Sequence, residues 1–323
     1  EHGKIGPDPG MDVGDEVWYY SDNSADYSNK TTFWIAKGMQ NSNEPLVDYW
    51  NGTQWGKAMF VGIRDCNVFI ENIEKVPDLS AYDKETWKAE AKVLKAFYHF
   101  WMMRMYGPIP IIKENIPVSA GEDEVRVVRD KIDDIVTYIV SLIDESVEYL
   151  PLNIQNEAAE MGRITRPAAK AIKAKILAFA ASPFFNGNLD YANFKNAEGE
   201  PFFNQVYDNE KWTKAADACL EAIQCAEEAG HGLYEFVNMS STQLSDETIL
   251  SLSNRCKVTE RWNKELVWGC GQSGIRDLQV LCQPWLESNY SSDGRYHNAR
   301  NGTIAPTLAV AETFYTKNGV PMD

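Results

Sequence analysis

The stretch that decides the fold is residues 81–110, which read AYDKETWKAEAKVLKAFYHFWMMRMYGPIP. From about Asp83 onward, apolar residues recur every three or four positions, the spacing of a helix with one apolar face. These residues are Trp87, Ala91, Leu94, Tyr98, Trp101 and Met105. The run closes with Arg104, Gly107 and Pro108, which supply a basic last turn, a C-cap glycine and a proline stop. This stretch therefore predicts one long helix that buries a single face.

The same periodicity recurs in four other segments. It predicts helices over about 53–76, 126–149, 166–183 and 211–229. The third of these is expected to begin at Thr165 as its N-cap, with Pro167 in the first turn. Its apolar face consists of alanines at helical spacing, so we expect a neighbouring helix to approach it closely.

Five helices in sequential order, separated by breakers, predict stacked helical hairpins. The segment Trp212-x-x-Ala215-x-x-x-Cys219 is close to one half of a tetratricopeptide repeat. The helix starts are unevenly spaced, so the repeats should be irregular. The predicted fold class is mostly α: tetratricopeptide-like helical hairpins over residues 53–230, packed against a loop-rich half with few short strands.

The loop-rich half comprises residues 1–52 and 231–323, where Gly, Asn and Ser interrupt short aromatic clusters. Within it we expect extended pieces at Thr248–Leu252 and Leu266–Trp268 and a last helix near 306–316. Both halves are predicted to form a single domain spanning residues 1–323.

Charge and composition narrow the class of function. The 323 residues contain 31 Lys plus Arg against 47 Asp plus Glu, a formal net charge of −16. Such a chain repels phosphate backbones and anionic head groups, so we expect no nucleic-acid partner and no direct membrane binding. No uncharged apolar run of 18 residues exists, and Glu1 opens into a polar stretch without a signal peptide.

Motifs for catalysis or metal binding are weak. The G-x-G-x-x-G match at 269–274 lacks a surrounding βαβ unit, and residues 22–33 lack the glycine and final glutamate of a calcium loop. Six cysteines form no C-x-x-C pair, and His99, among the apolar residues of the long helix, is typical of a satisfied core histidine. We therefore predict no metal, no cofactor and no catalytic residue.

Aromatic rings beside amides outside the helices are the remaining signal. A sugar stacks its C–H face on a flat ring while its hydroxyls find donors and acceptors. The predicted ligand-binding residues are Trp18, Tyr20, Trp34, Asn41, Trp285 and Tyr290. The competing interpretation is that these rings pin long loops to the scaffold.

Five islands of sequence, in order, resemble the SusD/RagB family of nutrient-binding outer-membrane lipoproteins. The first is Ala89–Phe100 with its closing Tyr106-Gly107-Pro108-Ile109-Pro110. The others are Arg64–Ile70, Gly162–Thr165 leading into the alanine helix, Ser245–Ser251, and Gly302–Thr307 followed by Phe314 and Asn318-Gly319. Together they cover about residues 55–320.

This resemblance implies a non-catalytic protein of the cell surface, held at the outer membrane by a lipid anchor that this chain does not contain. It implies that the helical half contacts a SusC-like TonB-dependent transporter, while the loop-rich half faces an oligosaccharide. Because the family continues beyond both ends of this sequence, the chain is expected to be incomplete. Two alternatives stay open: a peptide-binding or other nutrient-binding member of the family, and a tetratricopeptide adaptor for a protein partner.

Overall fold

The computed structural model describes residues 10, 13–19, 31–54, 56–239, 241–270, 304–316 and 318–321. Contacts group the chain into two units, which are described separately. The helical unit is Phe60–Gly269, and the flanking unit is made of Glu1–Met59 and Cys270–Asp323. No helix among the described residues combines the length and the apolar character needed to cross a membrane.

Helices dominate the described residues, which confirms the mostly α fold class. The elements are β1 Val17–Tyr19, α1 Thr31–Ala36, α2 Met59–Asn72, α3 Ala81–Tyr106, α4 Glu122–Val125, α5 Ile132–Asp144, α6 Glu157–Glu160, α7 Arg166–Ala181, α8 Glu210–Glu228, α9 Asp246–Thr259, β2 Ile304–Pro306 and α10 Leu308–Ala311. Short 3₁₀ turns follow α2 at Ile73–Lys75 and α5 at Val147–Tyr149.

The long helix α3 and the alanine helix α7 confirm their predictions. Ser80 caps α3 by accepting from the Asp83 amide at 3.1 Å, and Gly107 ends the helix at φ +67°. Thr165 caps α7 by accepting from the Ala168 amide at 3.4 Å. In both helices the capping signals are local, so sequence alone locates them.

Two helices begin later than predicted. The first was expected from residue 53 but α2 begins at Met59, because Asp48 ties residues 50–53 into a turn. The helix predicted over 126–149 begins only at Ile132, as α5, because Asp130 bonds to residues 109 and 111 instead. The first start is displaced by a local turn, and the second by contacts to a segment some twenty residues earlier in the chain.

The predicted extended piece Thr248–Leu252 is wrong, since it lies inside α9. Ser245 accepts from the Thr248 amide at 3.2 Å, and Asp246 and Glu247 occupy the first turn, where the helix dipole favours acids. This capping outweighs the apolar run that suggested a strand. Leu266–Trp268 is also not a strand but part of a turn region, with the Leu266 amide donating to the Asn263 carbonyl at 3.1 Å.

The helical unit is a stack in which α3 packs on α5, α5 on α7 and α7 on α8. Small residues line the last contact, where Ala174 of α7 meets Ala218 and Ala222 of α8. The close approach expected for the alanine face is confirmed. The larger core side chains are fully buried; they include Ile63, Phe100, Met102, Ile135, Ile139, Ile176 and Phe185.

His99 confirms the prediction of a satisfied core histidine. Its ring is fully buried, with Nδ1 2.8 Å from the Lys95 carbonyl oxygen and Nε2 accepting from the Ile112 amide at 3.2 Å. This pairing selects the neutral tautomer with its proton on Nδ1, because Nε2 faces an N–H. Burial, aided by the charge of Lys95 and opposed by the bond to its carbonyl, lowers the pKa of His99 to about 4.

We predict that His99 makes stability depend on pH. Between pH 6.5 and about 4 the unfolded chain takes up a proton that the native imidazole resists, so the free energy of unfolding falls as pH drops. The full loss corresponds to about 3 kcal/mol. Urea unfolding at several pH values should show this slope, and His99→Gln should remove it. An identical slope in His99→Gln would contradict the prediction.

Candidate functional site

Among the described residues of the flanking unit, Trp18 is the most exposed tryptophan, and it lies on a two-stranded ribbon. Strands β1 and β2 run antiparallel, with Trp18 opposite Ala305. The Trp18 side chain is 39% exposed. The neighbouring Val17 packs against the buried pair Phe33 and Ile304.

Helix α1 supports this indole from one side. The Phe33 ring lies 5.6 Å from the Trp18 ring in an edge-to-face arrangement, and Phe33 is only 2% exposed. One turn later, the Lys37 amine lies 6.0 Å from the Trp18 ring centroid. The ring is therefore anchored by a buried aromatic residue and flanked by a cation, while a large part of its surface stays open to solvent.

Trp34 and Asn41 follow on the same helix and the loop after it. Trp34 is half-buried, and Asn41 is exposed. The Asn41 side-chain oxygen Oδ1 accepts from the backbone amides of Asn43 and Glu44 at 3.0 and 2.7 Å and so holds the loop in a turn. The side-chain NH₂ group of Asn41 is the part suited to donate to a ligand hydroxyl.

Gln40 closes this loop onto Leu46. Its side chain accepts from the Leu46 amide at 2.6 Å and donates to the Leu46 carbonyl at 2.9 Å. The same Gln40 oxygen accepts from the Asn41 amide at 3.2 Å. Both amide side chains near Trp34 therefore hold a defined loop conformation next to the predicted ligand-binding residues.

A buried carboxylate organises the next turn. Asp48 is 2% exposed and accepts from the Trp50 and Asn51 amides at 2.9 and 3.1 Å and from the Thr53 hydroxyl at 3.0 Å. Burial by itself raises the pKa of the Asp48 carboxyl, but these hydrogen bonds outweigh it and leave the pKa below its ordinary value. The ionised carboxylate thus stabilises the turn that leads into α2.

The remaining predicted site residues lie outside the described part of the chain. These are Tyr20, Trp285 and Tyr290. The acidic segment from residue 22 that resembles a calcium loop also lies mostly outside it. Within the described ranges, no group of three or more His, Cys, Asp or Glu residues is arranged to hold a metal ion.

The sequence of more than half the chain matches a known family. Residues 10–177 match the family SusD-like_3, described as "Starch-binding associating with outer membrane". The chain belongs to the SusD-like family. This confirms the resemblance found in the sequence.

Several SusD-like proteins are similar to this chain. A SusD-like protein of Bacteroides ovatus is 31% identical over 99 residues, which are 31% of this chain and 16% of that protein. The solved structure named BT4246 is 30% identical, with a TM-score of 0.75 over 98% of this chain. A SusD-like protein from Bacteroides fragilis shares the fold at 17% identity, with a TM-score of 0.56 over 82% of this chain and 42% of its own.

The chain spans only part of these relatives. It covers 53% of the BT4246 chain. The elements of this chain therefore correspond to part of a longer SusD-like chain.

The sequence analysis did not single out Phe33 and Lys37, the two residues that lie beside the Trp18 ring. It treated residues 1–52 as irregular, whereas α1 occupies Thr31–Ala36. The available signal was the four-residue spacing of Phe33 and Lys37, which places both on one helix face. Six residues are too few for hydrophobic periodicity to indicate a helix by itself.

We predict that Gly56 is required for the turn built on Asp48. A Cβ atom at Gly56 would lie 2.0 Å from the Asp48 carbonyl oxygen, closer than any relaxed contact. Gly56→Ala should lower the free energy of unfolding by about 3 kcal/mol and speed hydrogen exchange of the 48–53 amides. Gly232→Ala is the matched control, because nothing lies within 4 Å of its added Cβ. Unchanged exchange at these amides in Gly56→Ala would refute the requirement.

Proposed function

We propose that this chain is part of a non-catalytic carbohydrate-binding protein that acts at the surface of the outer membrane. The observation that carries the proposal is the Trp18 indole, which is 39% exposed and is held by Phe33 from one side. Membership of a family described as starch-binding and associated with the outer membrane supports it.

The chemistry of this ring suits an oligosaccharide. A pyranose presents a face of C–H groups that stacks on an indole, and its hydroxyls need donors and acceptors at the edge. Lys37 supplies N–H donors 6.0 Å from the Trp18 centroid, and the Asn41 amide follows on the adjoining loop. Tyr20, Trp34, Trp285 and Tyr290 complete the proposed set of contacts.

The affinity should be modest. A few stacked rings and exposed hydrogen bonds must offset the lost freedom of a flexible oligosaccharide. A dissociation constant between about 1 μM and 1 mM, equivalent to about −8 to −4 kcal/mol, is therefore expected. Binding of this strength allows release of the ligand to a second protein.

The proposed second protein is a SusC-like TonB-dependent transporter, which receives the oligosaccharide. A lipid anchor on the complete protein would hold it at the cell surface. We propose that neither a cofactor nor a catalytic residue takes part, because capture and transfer need only reversible contacts.

The binding role predicts a specific loss in Trp18→Ala. Isothermal titration calorimetry with maltoheptaose and a panel of neutral oligosaccharides should find at least one ligand. Trp18→Ala should bind that ligand at least 10-fold more weakly, a loss of about 1.4 kcal/mol or more. Trp212→Ala is the matched control, because Trp212 is 42% exposed but lies on α8 of the helical unit.

The outcome separates the candidate functions. Equal binding by Trp18→Ala and the unchanged chain would exclude this ring from the site. Binding to a peptide library with no binding to any glycan would favour the peptide-binding alternative. Capture of a protein partner through the helical unit, without either small ligand, would favour the adaptor.

A further inference from the structure

A second cluster of rings lies in the helical unit, among residues that the sequence analysis did not single out for ligand binding. We propose that Trp87, Glu90, Arg163 and Trp262 form a second site for a neutral oligosaccharide, built around the Gly162–Arg163 step. The ligand class rests on the proposed function; the site itself rests on the contacts described below.

Two indoles lie beside the consecutive residues Gly162 and Arg163. The Trp87 ring lies 5.4 Å from the guanidinium carbon of Arg163. At the preceding residue, a Cβ on Gly162 would lie 3.4 Å from Cη2 of Trp262. The two indoles therefore flank adjacent residues of one turn, Trp262 at the Gly162 backbone and Trp87 at the end of the Arg163 side chain.

The backbone at Trp262 is held in an unfavourable conformation. Its φ angle is +54°, in the left-handed region that bulky side chains rarely adopt. Glycine or asparagine would adopt this conformation more easily. In this conformation the indole lies beside Gly162, and backbone strain of this kind concentrates at binding and catalytic sites.

The loop around Trp262 keeps that conformation in place. The Asn263 side chain donates to the carbonyls of Lys257 and Glu260 at 2.8 and 2.9 Å, which satisfies the end of α9. The Glu265 amide donates back to the Asn263 oxygen at 3.0 Å. The Glu265 carboxylate accepts from the Tyr234 amide at 2.9 Å, which ties the loop to a separate segment.

A third indole, that of Trp268, holds the Gly162 backbone by a hydrogen bond. Trp268 Nε1 donates to the Gly162 carbonyl at 3.0 Å, and its ring contacts Phe97 of α3 edge-on at 5.8 Å. Gly162 itself has φ +99°, and an added Cβ would be 3.2 Å from the Gly269 carbonyl oxygen. The step that carries Arg163 is therefore positioned by close packing as well as by a hydrogen bond.

The polar groups of the cluster suit sugar hydroxyls. Arg163 Nε and Nη2 both lie 3.0 Å from Glu90 Oε1, and Nη1 donates to Glu160 at 2.6 Å. The side chains stay accessible, with 28% of Arg163, 18% of Glu90 and 36% of Trp87 exposed. Trp87 and Glu90 are three residues apart on α3 and so share a face.

The charge of the cluster selects a neutral ligand. One guanidinium stands between two carboxylates, and the whole chain carries a net charge of −16. A uronic-acid oligosaccharide would meet this negative charge without a free cation. Burial raises the pKa of Glu90 against the opposing effect of Arg163, which agrees with a carboxylate that is partly withdrawn from water.

Fluorine NMR on protein labelled with 5-fluorotryptophan tests the proposal. The chain contains ten tryptophans, and single Trp→Phe variants assign their resonances. Titration with maltoheptaose and the neutral panel should shift the Trp87 and Trp262 resonances, and these shifts should persist in Trp18→Ala. The Trp212 resonance should stay fixed, and a galacturonic-acid oligosaccharide should shift neither Trp87 nor Trp262.

The result also distinguishes this site from the one at Trp18. If the Trp18 resonance shifts while those of Trp87 and Trp262 do not, the second site is wrong and the proposed function stands. If no panel sugar shifts any of the three, both fail. Shifts at Trp87 and Trp262 without one at Trp18 would support the second site alone.

Variants separate a binding role from a structural one. Trp262→Gly should weaken the titration followed at Trp87 at least 10-fold, and Glu90→Gln should weaken it by a smaller factor. The thermal midpoint of Trp262→Gly should change little, because glycine relieves the left-handed backbone while the packing of the partly buried indole is lost. A lowered midpoint with an unchanged titration at Trp87 would show that the indole only packs, and would overturn the proposal.

Discussion

The helical unit depends on the burial of one face of each helix against the next. Helix α3 buries Phe100 and Met102, α5 buries Ile135 and Ile139, and α7 meets α8 across alanines. Small side chains at that last contact let the two backbones approach closely and pack without voids. A stack of this kind leaves loops and exposed helix faces free to vary without loss of the fold.

The aromatic residues outside this core are held by polar contacts to the backbone and by single buried rings. Phe33 supports Trp18, and the Gly162 carbonyl anchors Trp268. Asn263 and Glu265 maintain the strained backbone at Trp262. An indole must keep one face in water to bind a sugar, so the interactions that orient it have to come from its edge or its back.

Most elements fixed by interactions between near neighbours in the sequence were predicted correctly, and elements fixed by distant contacts were not. Helices α3, α7 and α8 were predicted well because periodicity and caps such as Ser80 and Thr165 act within one or two turns. The start of α5 was missed because Asp130 bonds to a segment some twenty residues earlier. In α9 the apolar run alone also fits a strand, and the N-cap of Ser245 makes the segment a helix.

By itself, the sequence determined the mostly α fold and the family, because composition, periodicity and motif order are properties of the chain; its sugar-binding rings stay a prediction. Only the tertiary structure decided which residues lie beside those rings. The pairing of Trp18 with Phe33, and of Trp87 with Arg163 some seventy-six residues away, depends on packing between distant segments. No local pattern encodes such contacts, because the free energy that forms them comes from burial of the assembled core.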